Sequence, residues 1–175
     1  MKEKLNVLIS EKEIKDAVKR LAGEINACYK DEDVIAVGIL KGCFVFMADI
    51  IRELDCDPSI YFMEVSSYGN GPVSTGKINI KKDLDVDIKG KNVLILEDII
   101  DSGNTLNALV KHFEERQPKS IKVCALLSKP SRRQVEFEAD YTGFVIEDRF
   151  IVGYGLDYGE KYRSLPYIAE VEIND

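Results

Sequence analysis

Val93-Leu94-Ile95-Leu96-Glu97-Asp98-Ile99-Ile100-Asp101-Ser102-Gly103-Asn104-Thr105 is the stretch that decides the fold of this chain. Val93 to Leu96 is a short, partly β-branched apolar run without polar alternation, the pattern of a strand buried on both faces. Glu97 and Asp98 are expected to end it. Beyond them Leu106, Leu109, Val110 and Phe113 recur at i, i+3, i+4 and i+7, so a helix begins near Ser102 to Thr105. A strand, a loop of carboxylates and small hydrogen-bonding residues, and a helix N-terminus are thus predicted in succession.

Free backbone N–H groups and the helix dipole at such an end attract an anion, and the Ser102 and Thr105 hydroxyls around Gly103 add donors. A phosphate monoester suits that position. Carboxylates repel phosphate, but Glu97, Asp98 and Asp101 could accept hydrogen bonds from ribose hydroxyls, hold Mg²⁺ or take up a proton. The parts together describe a site for a phosphorylated sugar. Neither G-x-x-x-x-G-K-[ST] nor a strand followed by G-x-G-x-x-G occurs, which excludes two common nucleotide-binding loops. A plainer reading makes the three acids solvated turn residues; the apolar flanks, which fix them at a sheet edge, weigh against it.

The chain has 175 residues, 45% of them hydrophobic, enough for one domain with a substantial core, taken as residues 1–175. A net charge of −7 disfavours a broad nucleic-acid surface while leaving room for a local basic pocket. Cys28, Cys43, Cys56 and Cys124 show no C-x-x-C spacing and have one histidine for company, which argues against structural zinc and for reduced, buried thiols. No apolar signal block or membrane span is evident, so a cytoplasmic protein is expected.

Ile14, Ala17, Val18, Leu21 and Ile25 follow helical spacing, and Ser10 with Glu13 forms a capping-box pattern, placing a first helix over residues 11–29. Val34 to Leu40 reads as a buried strand, followed by a helix from Phe44 that Asp57-Pro58 terminates. Ser59 to Ser66 is a further strand, Ser67 to Gly76 a turn-rich loop expected to be mobile, and Ile121 to Leu127 another buried strand. The alternation predicts an α/β fold with a mainly parallel central sheet flanked by helices, ligands binding beyond the C-terminal strand edges. The stretch from Tyr141 onward is expected to form a small lobe, a hood, over that edge.

Glu97 to Thr105 resembles the phosphoribosyl pyrophosphate motif of type I phosphoribosyltransferases, and the Glu-Asp-x-x-Asp form, with Asp101 where other branches carry a small residue, is similar to the 6-oxopurine branch. Leu40-Lys41-Gly42, Ser67-Tyr68, Lys129, Phe150-Ile151, and Leu156-Asp157-Tyr158 with Arg163 extend the resemblance over residues 34–163. Cys43 and Asn104 depart from residues seen in many relatives, which is expected to tune the site and not abolish it.

The resemblance implies a role for each matched position. Glu97 and Asp98 hold the ribose hydroxyls and stand near Mg²⁺; Ser102, Gly103, Asn104 and Thr105 bind the ribose phosphate; Asp101 accepts the proton from purine N7. Lys41, Gly42 and Arg163 contact pyrophosphate, with the Leu40–Lys41 peptide able to be cis, and Asp157 is a Mg²⁺ ligand. Lys129 donates to the purine's exocyclic oxygen, Phe150 packs on the base, and Ile151 and Asp157 offer backbone contacts. Ser67 and Tyr68 belong to a lid that excludes water. Arg132 and Arg133 are read as surface residues, and His112 as a partly exposed structural one.

The implied activity is transfer of the 5-phosphoribosyl group from phosphoribosyl pyrophosphate to hypoxanthine or guanine, in a homodimer or homotetramer. Two alternatives stay open at this point: the same reaction on xanthine, or a regulatory RNA-binding protein that keeps the fold, which the acidic balance disfavours.

Overall fold

A computed structural model describes residues 3–67 and 78–173. The expected mobile loop, including Tyr68, falls at residues 68–77, outside the described residues. The main sheet contains β2 (Val34–Leu40), β3 (Ser59–Ser67), β4 (Ile78–Lys82), β5 (Asn92–Ile100), β6 (Ser120–Ser128) and β7 (Tyr141–Val145) in the order β4-β3-β2-β5-β6-β7. All neighbours run parallel except β4, which is antiparallel to β3 at the edge.

Side chains alternate across each strand, so an uninterrupted apolar run is what a strand covered on both faces requires. Leu94 and Leu96 of β5 join the core under α1 (Glu11–Tyr29) and α2 (Phe44–Ile50), with Leu21, Ile25 and Phe46. Val93 and Ile95 point to the opposite core, under α3 (Asn104–Glu114), with Leu106, Leu109 and Phe113. The predicted capping box is present: Ser10 Oγ accepts from the Glu13 amide at 3.3 Å, and the Ser10 amide donates to Glu13 Oε2 at 2.8 Å. His112 is partly exposed and sits 2.8 Å from Asp83, tying α3 to the 83–91 connection.

Three expectations need correction. β5 does not stop at Glu97 but runs to Ile100, because pairing with β6 continues through Ile99↔Leu127 and Ile100↔Ser128. The small lobe does not begin at Tyr141, whose strand extends the main sheet; it is a three-stranded sheet, β1-β9-β8, in which β8 (Ile151–Val152) and β9 (Ile168–Ile173) are joined by the N-terminal β1 (Glu3–Ile9). The cysteines are all free, but only Cys43 and Cys124 are buried; Cys28 is exposed and Cys56 half-buried. Among the described residues no helix is long and apolar enough to cross a membrane.

From β2 the chain moves outward to β3 on one side and then to β5 on the other. The crevice beyond the C-terminal ends of β2 and β5 is therefore the switch point where such sheets bind ligands.

Candidate active site

The segments leaving β2 and β5 enclose a cavity of about 250 Å³ at this switch point. It brings together seven of the expected residues: Gly42, Glu97, Asp98, Asp101, Ser102, Gly103 and Thr105. Gly103 lies in the left-handed region at φ 80°, which glycine adopts without steric cost, and turns the chain from β5 into α3. It is the N-cap and has no side chain to cap with, so amide N–H groups of the first turn beyond Asn104 are left for an anion. Ser102 Oγ braces the turn by accepting from the Asn104 amide at 3.3 Å.

Asp98 is buried at the cavity wall, and a Cβ placed on Gly42 would coincide with its carboxylate. Only glycine lets the loop after β2 lie directly on that acid. The Leu40–Lys41 peptide is cis. Burial pushes the Glu97 carboxyl well above the ordinary carboxylate range, and the adjacent Asp98, through hydrogen bonding and its charge, pushes it further. Glu97 therefore titrates above a free glutamate.

A second group of expected residues lies outside the lining of this cavity, on the end of β6 and the segments around β8. Lys129, at the end of β6, is buried, and its Nζ donates to the Arg149 carbonyl at 2.7 Å with Asp148 Oδ1 at 3.6 Å. Phe150 follows directly, half exposed, in an edge-on contact with Tyr158 at 5.2 Å between ring centroids. Ile151 is buried in β8. Asp157 is half-buried and fully engaged, Oδ1 with Arg163 at 2.8 Å and Oδ2 with the Glu160 amide at 2.9 Å. Arg163 also donates to the Gly155 carbonyl at 2.8 Å, and a Cβ on Gly155 would meet the Gly42 carbonyl, so the two glycines bring the small lobe against the β2 loop.

Some expected residues are placed differently. Lys41 does not line the cavity; its Nζ is 3.1 Å from Glu160, which also meets Arg163 at 3.2 Å. Asn104 donates to Gln134 Oε1 at 2.7 Å instead of facing the cavity. Ser67 is the last residue of β3, paired with Ile78, and Tyr68 is outside the described residues. Arg133 is not a surface residue but is partly buried behind the Asp101 loop, its side chain only 10% exposed, and Arg132, though exposed, reaches Asp101 Oδ1 at 3.0 Å. Glu160 and Arg133 were missed because nothing in their sequence neighbourhood marks them; both take meaning from partners distant in the chain.

Among the described residues no three His, Cys, Asp or Glu side chains cluster as a ready-made metal site. Asp98 at the cavity wall and Asp157 beside Arg163 are carboxylates, the donor type that Mg²⁺ takes one or two at a time with water and phosphate oxygens completing its shell.

Residues 8–159 match the family model described as a phosphoribosyl transferase domain. This chain belongs to the phosphoribosyl transferase family. Among its relatives, the hypoxanthine-guanine phosphoribosyltransferase of Bacillus subtilis (strain 168) is 53% identical over 163 residues, 93% of this chain and 91% of that protein. The hypoxanthine phosphoribosyltransferase of Escherichia coli (strain K12) is 49% identical over 177 aligned positions, covering 100% of this chain and 99% of that one. A crystal structure of a Bacillus anthracis hypoxanthine-guanine phosphoribosyltransferase, with a HEPES molecule in its active site, superposes with a TM-score of 0.92 at 51% identity, covering 95% of this chain and 98% of the other. The phosphoribosyl transferase fold accounts for the parallel sheet, its flanking helices and the small sheet beside the strand ends.

Proposed function

We propose that the chain, working as one domain over residues 1–175, transfers the 5-phosphoribosyl group from phosphoribosyl pyrophosphate to hypoxanthine or guanine. The products are inosine or guanosine monophosphate and pyrophosphate, the chemistry of purine salvage. The observation that carries this reading is the cavity at the β2/β5 switch point, lined by Glu97, Asp98 and Asp101 together with the start of α3.

The α3 N-terminus, with Ser102, Gly103, Asn104 and Thr105, takes the 5-phosphate, and Glu97 and Asp98 accept from the ribose hydroxyls. Loss of pyrophosphate leaves positive charge on the sugar, which the carboxylates of this wall favour electrostatically. Gly42, Lys41 and Arg163 receive the leaving diphosphate, so Lys41 and Arg163 exchange Glu160 for phosphate oxygens. Mg²⁺, held by Asp157 with Glu97 and Asp98 as further donors, would supply a hard positive charge to those oxygens.

On the acceptor side Lys129 donates to the 6-oxo group, Phe150 covers the ring face, and the backbone at Ile151 and Asp157 meets the remaining ring edge. Asp101 accepts the N7 proton as the new bond forms at N9. Ser67 and Tyr68 belong to the lid that keeps water from the sugar cation. The working form is a cytoplasmic homodimer or homotetramer, and no nucleic acid or membrane partner takes part.

Pyrophosphate release with Mg²⁺, phosphoribosyl pyrophosphate and a panel of bases tests this reading. Release with hypoxanthine and guanine, and none with adenine or without a base, is expected; tight RNA binding without base-dependent release would replace the reading with a regulatory one, and a preference for xanthine would move the acceptor.

A further inference from the structure

Arg133 follows the turn Pro130–Arg132 and keeps only 10% of its side chain exposed. Burying a guanidinium is costly unless its N–H groups all find acceptors. Here Nε donates to the Phe137 carbonyl at 3.0 Å, and Nη2 to Ser128 Oγ at 2.7 Å. Nη1 donates to the carbonyls of Ile100 at 2.8 Å, Asp101 at 2.6 Å and Lys129 at 3.3 Å. The carboxylate nearest this charge, Glu138, stands 3.7 Å away and is largely exposed, so carbonyl dipoles carry most of the compensation. Ile100 ends β5 and Asp101 follows it, while Ser128 ends β6 and Lys129 follows it.

We propose that Arg133 is a positioning residue that fixes the separation of Asp101 and Lys129, and with it the pose of the purine between proton acceptor and 6-oxo donor. This inference rests on the phosphoribosyl-transfer reading, since only there do the two residues grip one base. Its neighbours act on the same loop. Arg132 Nε holds Asp101 Oδ1 at 3.0 Å, the Gln134 amide donates to the Ser102 carbonyl at 3.0 Å, and Gln134 Oε1 accepts from Asn104 at 2.7 Å. A Cβ on Gly103 would meet Val135 at 3.2 Å and Phe137 at 3.3 Å, so the segment is pressed against the loop at its left-handed turn. Lysine cannot substitute, because a single ammonium cannot reach acceptors on both strand ends in the planar fork a guanidinium provides.

The test compares the parent with Arg133→Lys and Arg133→Ala, measuring kcat, KM for each substrate, melting temperature, and recovery of Arg133→Ala by added guanidinium. A fall of about a hundredfold in kcat, the scale of a roughly 1 Å misplacement, is expected. The KM for phosphoribosyl pyrophosphate should stay within a few-fold, and free guanidinium should restore part of the Ala variant's turnover. Folded variants with turnover close to the parent's overturn the inference. So do variants that lose turnover and donor binding together without guanidinium recovery, or that fail to fold even as lysine, since Arg133 is then a structural residue. A parent inactive with every base removes the proposed function and the ground of this inference with it; an active parent with unaffected variants removes this inference alone.

Discussion

Replacing Lys129 by glutamine isolates base recognition from the rest of the reaction. Lys129 is 8% exposed and its ammonium is already positioned by the Arg149 carbonyl at 2.7 Å, so little reorganisation is needed to meet a 6-oxo group. A hydrogen bond from a charged donor contributes about 1.5–3 kcal/mol, and about 1.4 kcal/mol is a factor of ten. The variant should therefore lose roughly 10- to 150-fold in kcat/KM for hypoxanthine and guanine. Adenine offers an amino group, which the ammonium cannot accept from but the glutamine carbonyl can, so adenine use should rise and discrimination should narrow from both sides. The glutamine amide can still donate to the Arg149 carbonyl, which keeps the fold. Competition between guanine and adenine in a single reaction, with products resolved by chromatography, measures the ratio directly. Undiminished discrimination in a folded variant would remove Lys129 from recognition.

Asp101→Asn keeps an oxygen for Arg132 but cannot take a proton; kcat should fall about 10²- to 10⁴-fold with donor binding little changed, and pre-steady-state product formation at the parent rate would refute the proton-acceptor role. Glu97→Gln should stabilise the ligand-free protein at neutral pH. The folded carboxyl titrates above its ordinary value near 4.5, so the unfolded chain loses its proton first and parent stability declines as pH rises past that value; the gap between melting temperatures should open with pH and close in acid. A gap independent of pH would contradict this. Glu160→Gln removes the carboxylate that meets both Lys41 and Arg163, so inorganic pyrophosphate should bind a few-fold more tightly in calorimetric titration; unchanged or weaker binding would show that Glu160 does not compete for those cations.

Much of the central architecture was legible because burial on both sides of β5 and β2 writes itself as unbroken apolar runs, and α1 announces its start with Ser10 and Glu13. The end of β5 was not, since Glu97 stays in the sheet through its register with Ala125, a partner that local sequence does not reveal. The small sheet was legible only at its C-terminal side. β1 pairs with β9 across nearly the whole chain, from Glu3↔Ile173 onward, and nothing near residue 3 signals that partner. In the site, acids and small residues at a strand-to-helix turn were readable from chemistry alone. Lys129, Phe150 and Arg163 depended on resemblance, and Arg133 escaped because its acceptors are mostly backbone carbonyls, which every sequence has and none displays.

The central claim is that the β2/β5 crevice holds an activated ribose phosphate. A crystal structure of the parent with phosphoribosyl pyrophosphate and Mg²⁺ measures this most directly. The 5-phosphate should lie on the amides of residues 102–105 with the ribose hydroxyls at Glu97 and Asp98 and the diphosphate toward Gly42 and Arg163. Donor density at any other place on the protein would contradict the account.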